Sequence, residues 1–412
     1  MEEKGAISLN EMDEEAQLDA VRRDGNSIKY IDNPSEQVKL EAVRENGCAI
    51  YYIKNPSLRL ELKAVERDGN AIQYIKNPSE LVQLEAVIEK GNAIQYINNP
   101  SLDVQLTAVK RYGLAIQYID NPSERVQLKA VKQSGYAIQY IDNPSEEIKL
   151  EAVRKNGCAL EFIKNPSEQL QLEAVRENGY SIQYIENPSE EIKLEAVKQN
   201  GYAIEVIDNP SEEVQLAAVR QDGRAIQYID NPSLEVQLAA VRRYENVIQF
   251  IDNPSEEVQL EAVRKNGYVI EFIKNPSLKV QFETVKQNGC SIQYIKNPLE
   301  EVQLEAVRED GHAIKYIDNP SEEVQLEAVR KNGYYILYIK NPFSYIKSIV
   351  DVIETSHRTI YVLHEPNKEP LFSIGCQKNI TKEYFIERIY TMDGGLKENP
   401  HRQEYLDILV RY

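Results

Sequence analysis

Cysteine, histidine and tryptophan are scarce in this sequence. Its 412 residues include four cysteines, four histidines and no tryptophan. The cysteines (Cys48, Cys158, Cys290 and Cys376) lie far apart and form no C-x-x-C pair, which argues against a disulfide framework and against a zinc site. We therefore expect reduced thiols in a reducing compartment, and neither a metal nor another cofactor.

Long apolar runs are also missing. Met1 is followed by Glu2, Glu3 and Lys4 instead of an apolar stretch, so the sequence predicts no secretory signal. No run approaches the length that a membrane-spanning helix needs, and we expect a cytoplasmic protein without a membrane partner.

Basic residues are too few to balance the acidic ones. The chain has 48 Lys and Arg against 66 Asp and Glu, a net charge of -18, and residues 343–412 hold only nine basic and ten acidic residues. Such acidity disfavours nucleic acid, because affinity for phosphates comes largely from Lys and Arg. It favours partners that carry a basic surface.

What the sequence has in abundance is repetition. Asn-Pro recurs every 22 residues without an insertion, and NPSEEVQLEAVRKNGY occurs identically at 253–268 and 319–334. Because tandem repeats form one architecture whose size scales with their number, we predict a lead-in at 1–10, a solenoid of fifteen repeats at 11–342 and a C-terminal module at 343–412.

Within each repeat, numbered from its Asn, position 2 is Pro, position 6 Val-like, position 8 Leu, position 15 Gly and position 20 aromatic. In the repeat that begins at Asn253, Asn as N-cap and Pro254 as the first helical residue predict a helix over positions 2 to 14. Gly267 predicts its end through the left-handed conformation. The six residues that follow favour a helix or a 3-10 turn over a strand. Glu245 replaces this Gly once, and we expect a local change in the turn there.

Asn253, Val258, Gln259 and Ala262 stand at the spacing of an Asp, a Val, an Arg and an Ala in HEAT repeats, which the pattern therefore resembles. Its short length brings it closer to leucine-rich-variant repeats, and it is similar to uncharacterised bacterial and viral repeats that read Val-x-Leu-x-Ala-Val-(Lys/Arg)-x-Asn-Gly. The resemblance implies an all-α solenoid, an α/α or α/3-10 superhelix of fifteen repeats, followed by a small α+β module. It implies no activity. Since Gln replaces the HEAT Arg at position 7, we expect a neutral ladder of Asn and Gln that ties successive turns together.

Two rows of side chains are candidates for binding a partner. Position 20 is aromatic in all but one repeat, whereas position 16 varies among Asn, Cys, Tyr, Leu, Arg and His. The position-20 rings either fill the groove between repeats or recognise a ligand, and position 16 is either indifferent surface or the row that sets specificity. We expect position 19, which is usually Gln or Glu, to lie beside position 16. The predicted contact residues are Tyr74, Tyr96, Tyr118, Tyr140, Tyr184 and Tyr228 at position 20, and Tyr136, Tyr180, Tyr202, Arg224, Tyr268 and His312 at position 16.

After Asn341-Pro342 the period ends. The sequence predicts a helix from Ser344 to Glu354, two strands joined by a turn in TIYVLHEPNKEPLFSIGC, and an amphipathic helix capped by Thr381 in ITKEYFIERIY. A turn at Asp393-Gly394-Gly395 and a last helix from His401 complete a module that either acts on its own or caps the repeats.

Titratable residues gather in this module and are candidates for a metal or nucleophile site. They are His357, His364, His401, Cys376 and Asp393. Their spacings match no metal-binding pattern, and the chain holds neither G-x-S-x-G nor a phosphate loop. We therefore interpret these histidines as chance occurrences, and predict no catalytic residue.

Three functions remain open. The favoured one is a scaffold whose extended, acidic, Tyr-lined surface holds a protein or peptide. The alternatives are an enzyme or effector in the C-terminal module that the repeats target, and an acidic solenoid that mimics nucleic acid to occupy a nucleic-acid-binding protein. Binding of nucleic acid along the basic row at position 12 is disfavoured by the net charge of -18.

Overall fold

A computed structural model of the protein describes residues 9–356, 358–374, 377–391 and 401–412. The chain forms two compact units. They are the N-terminal unit, Met1–Pro210, and the C-terminal unit, Ser211–Tyr412.

Within residues 9–210, the N-terminal unit contains nine ten-residue α-helices, and each is followed by a six-residue 3-10 helix. The α-helices α1 to α9 are Glu14–Arg23, Glu36–Glu45, Leu58–Arg67, Glu80–Glu89, Leu102–Arg111, Glu124–Gln133, Glu146–Lys155, Glu168–Glu177 and Glu190–Gln199. The 3-10 helices are Gly25–Tyr30, Gly47–Tyr52, Gly69–Tyr74, Gly91–Tyr96, Gly113–Tyr118, Gly135–Tyr140, Gly157–Phe162, Gly179–Tyr184 and Gly201–Val206, and a shorter one, Leu9–Glu11, precedes α1.

The C-terminal unit continues the pattern and then ends in a sheet. Its repeat helices α10 to α15 are Glu212–Gln221, Leu234–Arg243, Glu256–Lys265, Leu278–Gln287, Glu300–Glu309 and Glu322–Lys331. The matching 3-10 helices are Gly223–Tyr228, Glu245–Phe250, Gly267–Phe272, Gly289–Tyr294, Gly311–Tyr316 and Gly333–Tyr338. The module consists of α16 (Ser344–Ile349), β1 (Val350–Glu354), β2 (Thr359–Leu363), β3 (Leu371–Ile374), β4 (Gln377–Ile380), α17 (Lys382–Thr391) and α18 (His401–Leu409).

These elements confirm the predicted fold class, a solenoid of 22-residue α/3-10 repeats followed by a small α+β module. The sequence left the type of the second element of each repeat open, and the structure shows that it is a 3-10 helix. Within the described residues, every helix is too short or too polar to span a membrane.

Serine, not asparagine, stands at the N-cap of most repeat helices. Ser255 has extended backbone angles and its side chain accepts a hydrogen bond from the N–H of Val258 at 3.4 Å. Asn253 lies two residues before the cap with φ 48°, in the left-handed conformation. The predicted start at position 2 was wrong, because the left-handed Asn and Pro254 form the turn that leads into the helix.

Glycine at position 15 supplies space instead of a left-handed conformation. Neither Gly135 nor Gly267 has a positive φ, so the predicted role was wrong. A Cβ on Gly135 would lie 2.5 Å from the carbonyl oxygen of Ala152 in the next repeat. Glycine therefore lets the start of a 3-10 helix approach the next α-helix closely.

The repeat with Glu245 keeps the ordinary turn. Its 3-10 helix begins at Glu245, and the preceding Tyr244 has φ -144° and ψ 114°, close to the values of -148° and 110° at Asn178. The expected local change was wrong, because the turn requires no positive φ at this position.

The core of each repeat comes from both elements. In one repeat of the C-terminal unit, Val258, Ala262 and Val263 of α12 are buried together with Ile270 and Ile273 of the segment that follows. Packing of this kind continues between neighbouring repeats within each unit, so burial on several sides explains the broad apolar face of the helix.

The predicted neutral ladder is replaced by two separate sets of bonds. Gln259 at position 7 donates from Nε2 to the carbonyl of Pro254 at 2.8 Å, and therefore ties the turn to the helix of its own repeat. Successive repeats are joined instead by ion pairs between position 12 and position 9 of the next repeat, such as Arg154 Nε to Glu173 Oε1 at 2.6 Å. Exposed pairs of this kind each contribute about 0 to 1 kcal/mol.

The module is a four-stranded antiparallel sheet in the order β1-β2-β3-β4, covered by α17 and α18. Its core includes Ile360, Val362, Phe372, Phe385 and Ile408. The predicted pair of strands is confirmed as β2 and β3, and so is the amphipathic helix α17.

Two predictions in the module need correction. The predicted helix ends at Ile349, and residues up to Glu354 instead form β1 beside β2. Strand β4 was not predicted. The expected cap is present, since the N–H of Tyr384 donates to Thr381 Oγ1 at 3.3 Å. The turn predicted at 393–395 lies outside the described residues.

Candidate partner-binding surface

Each 3-10 helix buries one side and presents the other. In Gly135–Tyr140, Ala137 and Ile138 are buried, whereas Tyr136, Gln139 and Tyr140 are exposed. Gln139 Nε2 donates to the carbonyl of Tyr136 at 2.9 Å, which fixes the side chain along the helix. We call the side chains at positions 16, 19 and 20 of the repeats the tyrosine surface.

The position-20 rings lie partly in solvent. The exposed fractions are 39% for Tyr74 and Tyr96, 41% for Tyr118 and Tyr140, and 38% for Tyr228, while Tyr184 is half-buried. Rings that only filled the groove between repeats would be buried, so one part of each ring packs and the other part is available for contact.

Position 16 lies next to position 20 of the following repeat. The ring centroids of Tyr136 and Phe162 are 6.0 Å apart and those of Tyr268 and Tyr294 are 6.1 Å apart, both in edge-to-face arrangements. Such aromatic pairs are favourable beyond the area that they bury. The two rows that the sequence singled out therefore meet within each unit and form one surface.

Side chains at position 19 belong to the same surface, beside position 16 as expected from the sequence. Tyr180 donates from its hydroxyl to Glu205 Oε2 at 3.5 Å, and Tyr51 lies 5.1 Å from Tyr74 between ring centroids. The 3-10 geometry therefore brings position 19 next to the rings as well.

The tyrosine surface carries almost balanced charge. Positions 16, 19 and 20 of all repeats hold three basic residues and three acidic ones, namely Lys29, Arg224, Lys315, Glu161, Glu205 and Glu271. Acidic residues instead cluster in the first turn of the helices, as at Glu256 and Glu257. The expected acidic surface and the Tyr-lined surface are thus formed by different positions of the repeat.

Position 16 also contacts position 14 of the next repeat. Cys290 Sγ donates to Asp310 Oδ2 at 3.4 Å, and Asn46 Nδ2 donates to Asn26 Oδ1 at 3.1 Å. Burial, and then the neighbouring Asp310, raises the pKa of Cys290 to about 11. This thiol is therefore a neutral hydrogen-bond donor at physiological pH and a poor nucleophile.

Arg224 is held in place by its neighbours. Its guanidinium binds both carboxylate oxygens of Asp222, at 3.0 and 2.7 Å, and lies 5.7 Å from the ring centroid of Tyr244. The hydrogen bond from Arg224 lowers the pKa of Asp222 below its usual value. Of the other predicted residues at position 16, His312 is exposed, whereas Tyr180 and Tyr202 are half-buried.

The tyrosine surface is partly covered at the last repeat. Tyr335 is buried, its hydroxyl lies 3.0 Å from His312 Nδ1, and burial raises its pKa to about 12. The ring of Tyr334, at position 16, packs edge-to-face on Tyr361 of the sheet with centroids 5.2 Å apart. The sheet therefore covers the position-16 residue of the last repeat.

The module brings one predicted histidine next to two other polar groups. His364 Nε2 lies 3.3 Å from Asp351 Oδ2, and the hydroxyl of Tyr412 donates to the same carboxylate oxygen. Burial, and then Asp351, raises the pKa of Tyr412 to about 12. His357, Cys376 and Asp393 lie outside the described residues, as does the side chain of His401. In the part of the chain that the structure describes, no three His, Cys, Asp or Glu side chains form a group suited to a metal ion.

The model of a family described as "Domain of unknown function (DUF4116)" matches residues 123–166 and 167–210. Each match spans two consecutive 22-residue repeats, and both lie in the N-terminal unit. Comparison with curated proteins and with solved structures gave no match. This part of the chain is thus similar, twice in tandem, to a family of unknown function, and the likeness to HEAT repeats is not confirmed. The fold and the comparison together define a tandem helical-repeat protein.

Proposed function

We propose that this protein is a scaffold that binds a protein or peptide through the tyrosine surface. The observation that carries the proposal is the row of position-20 rings, which stay about 40% exposed from repeat to repeat, as at Tyr118 and Tyr140. Tyrosine provides a large contact area with few rotatable bonds, and its hydroxyl can bond to a partner. Because neighbouring rings already restrain one another, little side-chain freedom is lost on binding.

The distribution of charge specifies the partner further. The near-neutral tyrosine surface suits apolar and aromatic side chains, whereas the acidic first turns of the helices attract Lys and Arg at a distance. We therefore propose a partner whose contact segment combines apolar residues with flanking basic residues. The acidic helix starts increase the rate of association, and the rings supply most of the affinity.

Affinity capture from the native host with the full chain as bait tests the scaffold. A triple variant, Tyr96→Ala, Tyr118→Ala and Tyr140→Ala, removes three neighbouring rings of the N-terminal unit. If the rings are central contacts, binding weakens by at least about thirtyfold, since loss of one hot-spot residue costs 2 kcal/mol or more. Leu58→Ala and Leu102→Ala provide a matched control, because these residues are 50% and 44% exposed at helix starts.

The outcomes separate the competing functions. Equal loss of binding in the triple variant and in the leucine control would contradict recognition by the tyrosine surface. Capture of a nucleic-acid-binding protein that duplex DNA displaces, with both variants still binding, would favour nucleic-acid mimicry. Turnover of a substrate panel by the chain, abolished by His364→Ala, would favour an enzyme in the module.

A further inference from the structure

The ends of several repeat helices are completed by a glutamine of the next repeat. A helix leaves its last carbonyl groups without intrahelical partners. In the N-terminal unit, Gln199 at position 13 reaches back, so that Nε2 donates to the carbonyl of Glu177 at 3.3 Å and Oε1 accepts from the N–H of Gly179 at 2.7 Å. In the same way, Gln133 Oε1 accepts from the N–H of Gly113 at 2.7 Å, and Gln287 Oε1 accepts from the N–H of Gly267 at 2.8 Å.

A second link joins the same two helices. The position-12 arginine pairs with the position-9 glutamate of the next repeat, as Arg176 Nε does with Glu195 Oε1 at 3.1 Å and Arg264 Nε with Glu283 Oε1 at 3.2 Å. The repeats at 165–186 and 253–274 thus each receive one carboxylate and one carboxamide from the repeat that follows.

The carboxamide for the last repeat helix comes from the sheet. Asn379, in β4, accepts from the N–H of Gly333 at 3.2 Å through Oδ1, and its Nδ2 donates to the carbonyl of Arg330. Buried Ser373 holds Asn379 in place, because its hydroxyl donates to Asn379 Oδ1 at 2.8 Å and accepts from the Asn379 N–H at 2.9 Å. Asn379 has φ 43°, a conformation that Asn tolerates better than most residues.

The carboxylate comes from the loop after β2. Glu365 binds Arg330 through both oxygens, with Arg330 Nε 3.0 Å from Oε1, and it also pairs with Lys368 at 3.1 Å. The Glu365 side chain is only 8% exposed, in contrast to 28% for Glu173 at position 9 of an ordinary repeat. The pair at the end of the array is therefore better shielded from water than a pair within it.

We propose that the module is a surrogate repeat whose docking surface recognises the open end of a 22-residue repeat. Asn379 stands for the position-13 Gln of a following repeat, and Glu365 stands for its position-9 Glu, although both lie on a β-sheet scaffold. The partner of this surface is the last turn of α15 together with Gly333. The module therefore satisfies the end of the array by bonds of the same kind as those that join its repeats, although Asn379 donates to the carbonyl at position 12 and Gln199 to the one at position 13.

Hydrogen exchange of the full chain, followed by mass spectrometry, tests the assignment. Asn379→Ala removes the acceptor of the Gly333 N–H, so exchange in peptides that cover Gly333 is expected to rise by about tenfold or more. Gln199→Ala is the matched variant inside the array, and it should raise exchange at Gly179 to a similar extent. Lys378→Ala, at an exposed residue of β4, is the control, and it should leave exchange at Gly333 unchanged.

Two milder variants keep the test decisive if Asn379→Ala unfolds the module. Asn379→Asp retains the acceptor and loses only the donor, so protection at Gly333 should persist. Glu365→Gln weakens the pair with Arg330 and should raise exchange in the last turn of α15 by a few fold. If Gln199→Ala exposes Gly179 but Asn379→Ala and Glu365→Gln leave residues 322–338 as protected as before, the module is not a surrogate repeat.

Discussion

Replacing Gly135 with alanine would test why every ordinary repeat has glycine at the start of its 3-10 helix. The new Cβ would lie 2.5 Å from the carbonyl oxygen of Ala152 and 3.0 Å from the Cβ of Asn156. Since Cβ atoms do not approach a carbonyl oxygen so closely, the two repeats must separate. Overpacking of this size costs about 1 to 3 kcal/mol. Because a repeat contacts only its neighbours, the loss is confined to this interface.

Gly333 provides the matched comparison. There a new Cβ would lie 3.1 Å from the Cβ of Tyr361, with the next atoms at 3.8 Å, so Gly333→Ala should cost less than Gly135→Ala. If glycine were required for a left-handed backbone, both substitutions would cost about 1 to 2 kcal/mol. Glu245→Gly should stabilise the protein slightly, because the half-exposed ion pair with Lys265 at 3.4 Å contributes little.

Urea denaturation followed by circular dichroism, combined with hydrogen exchange of residues 130–160, would measure these effects. Long repeat arrays do not unfold in two states, so local exchange is compared with the midpoint. The reasoning is refuted if Gly135→Ala leaves both quantities unchanged, or if Gly333→Ala lowers the midpoint as much as Gly135→Ala does.

Three further predictions concern capping, pH and thiol reactivity. Ser145→Ala removes a side-chain cap and should lower the free energy of unfolding by about 1 kcal/mol. Leu299→Ser adds a cap to a helix that has none and should raise the free energy of unfolding by a similar amount. The midpoints of urea denaturation measure both changes. The ion pair with Arg330 holds the pKa of Glu365 below its usual value. The stabilisation by this carboxylate is therefore present above the usual pKa and is lost as the pH falls through the lowered pKa. Proteolysis of the module should accelerate on acidification, and it should accelerate less in Glu365→Gln. Cys290, with a pKa of about 11, should react with iodoacetamide slowly at about pH 8, and Asp310→Asn should accelerate the modification seen by mass spectrometry.

Much of the repeat could be predicted from the sequence, because an uninterrupted 22-residue period and its apolar positions repeat the same evidence many times. The start of the helix could not be predicted correctly. Asn253 and Ser255 are both good N-caps, and the sequence does not show which one precedes the first helical turn. Only the backbone distinguishes them, since Asn253 has φ 48° whereas Ser255 has φ -62°.

Contacts between repeats were the least predictable feature, because they join residues about 20 positions apart in sequence. Glycine is needed at position 15, as at Gly135, because it packs closely against Ala152 of the next repeat. When only local conformation is considered, the same glycine resembles a helix stop. The tyrosine rows themselves were evident from their period, but the approach of Tyr136 to Phe162 depends on how the repeats stack. In the module, β1 was missed because its residues continue a helical pattern and only pairing with β2 makes them a strand.

The contact between position 16 and position 14 of the next repeat limits how the tyrosine surface can be redesigned. Arg224 stacks on Tyr244 and Cys290 donates to Asp310, so a variable residue is supported from the following repeat. A single repeat grafted elsewhere would leave that support behind. The smallest cassette that can be exchanged with its surface intact is therefore a pair of adjacent repeats, and libraries built by shuffling should be cut at every second Asn-Pro step.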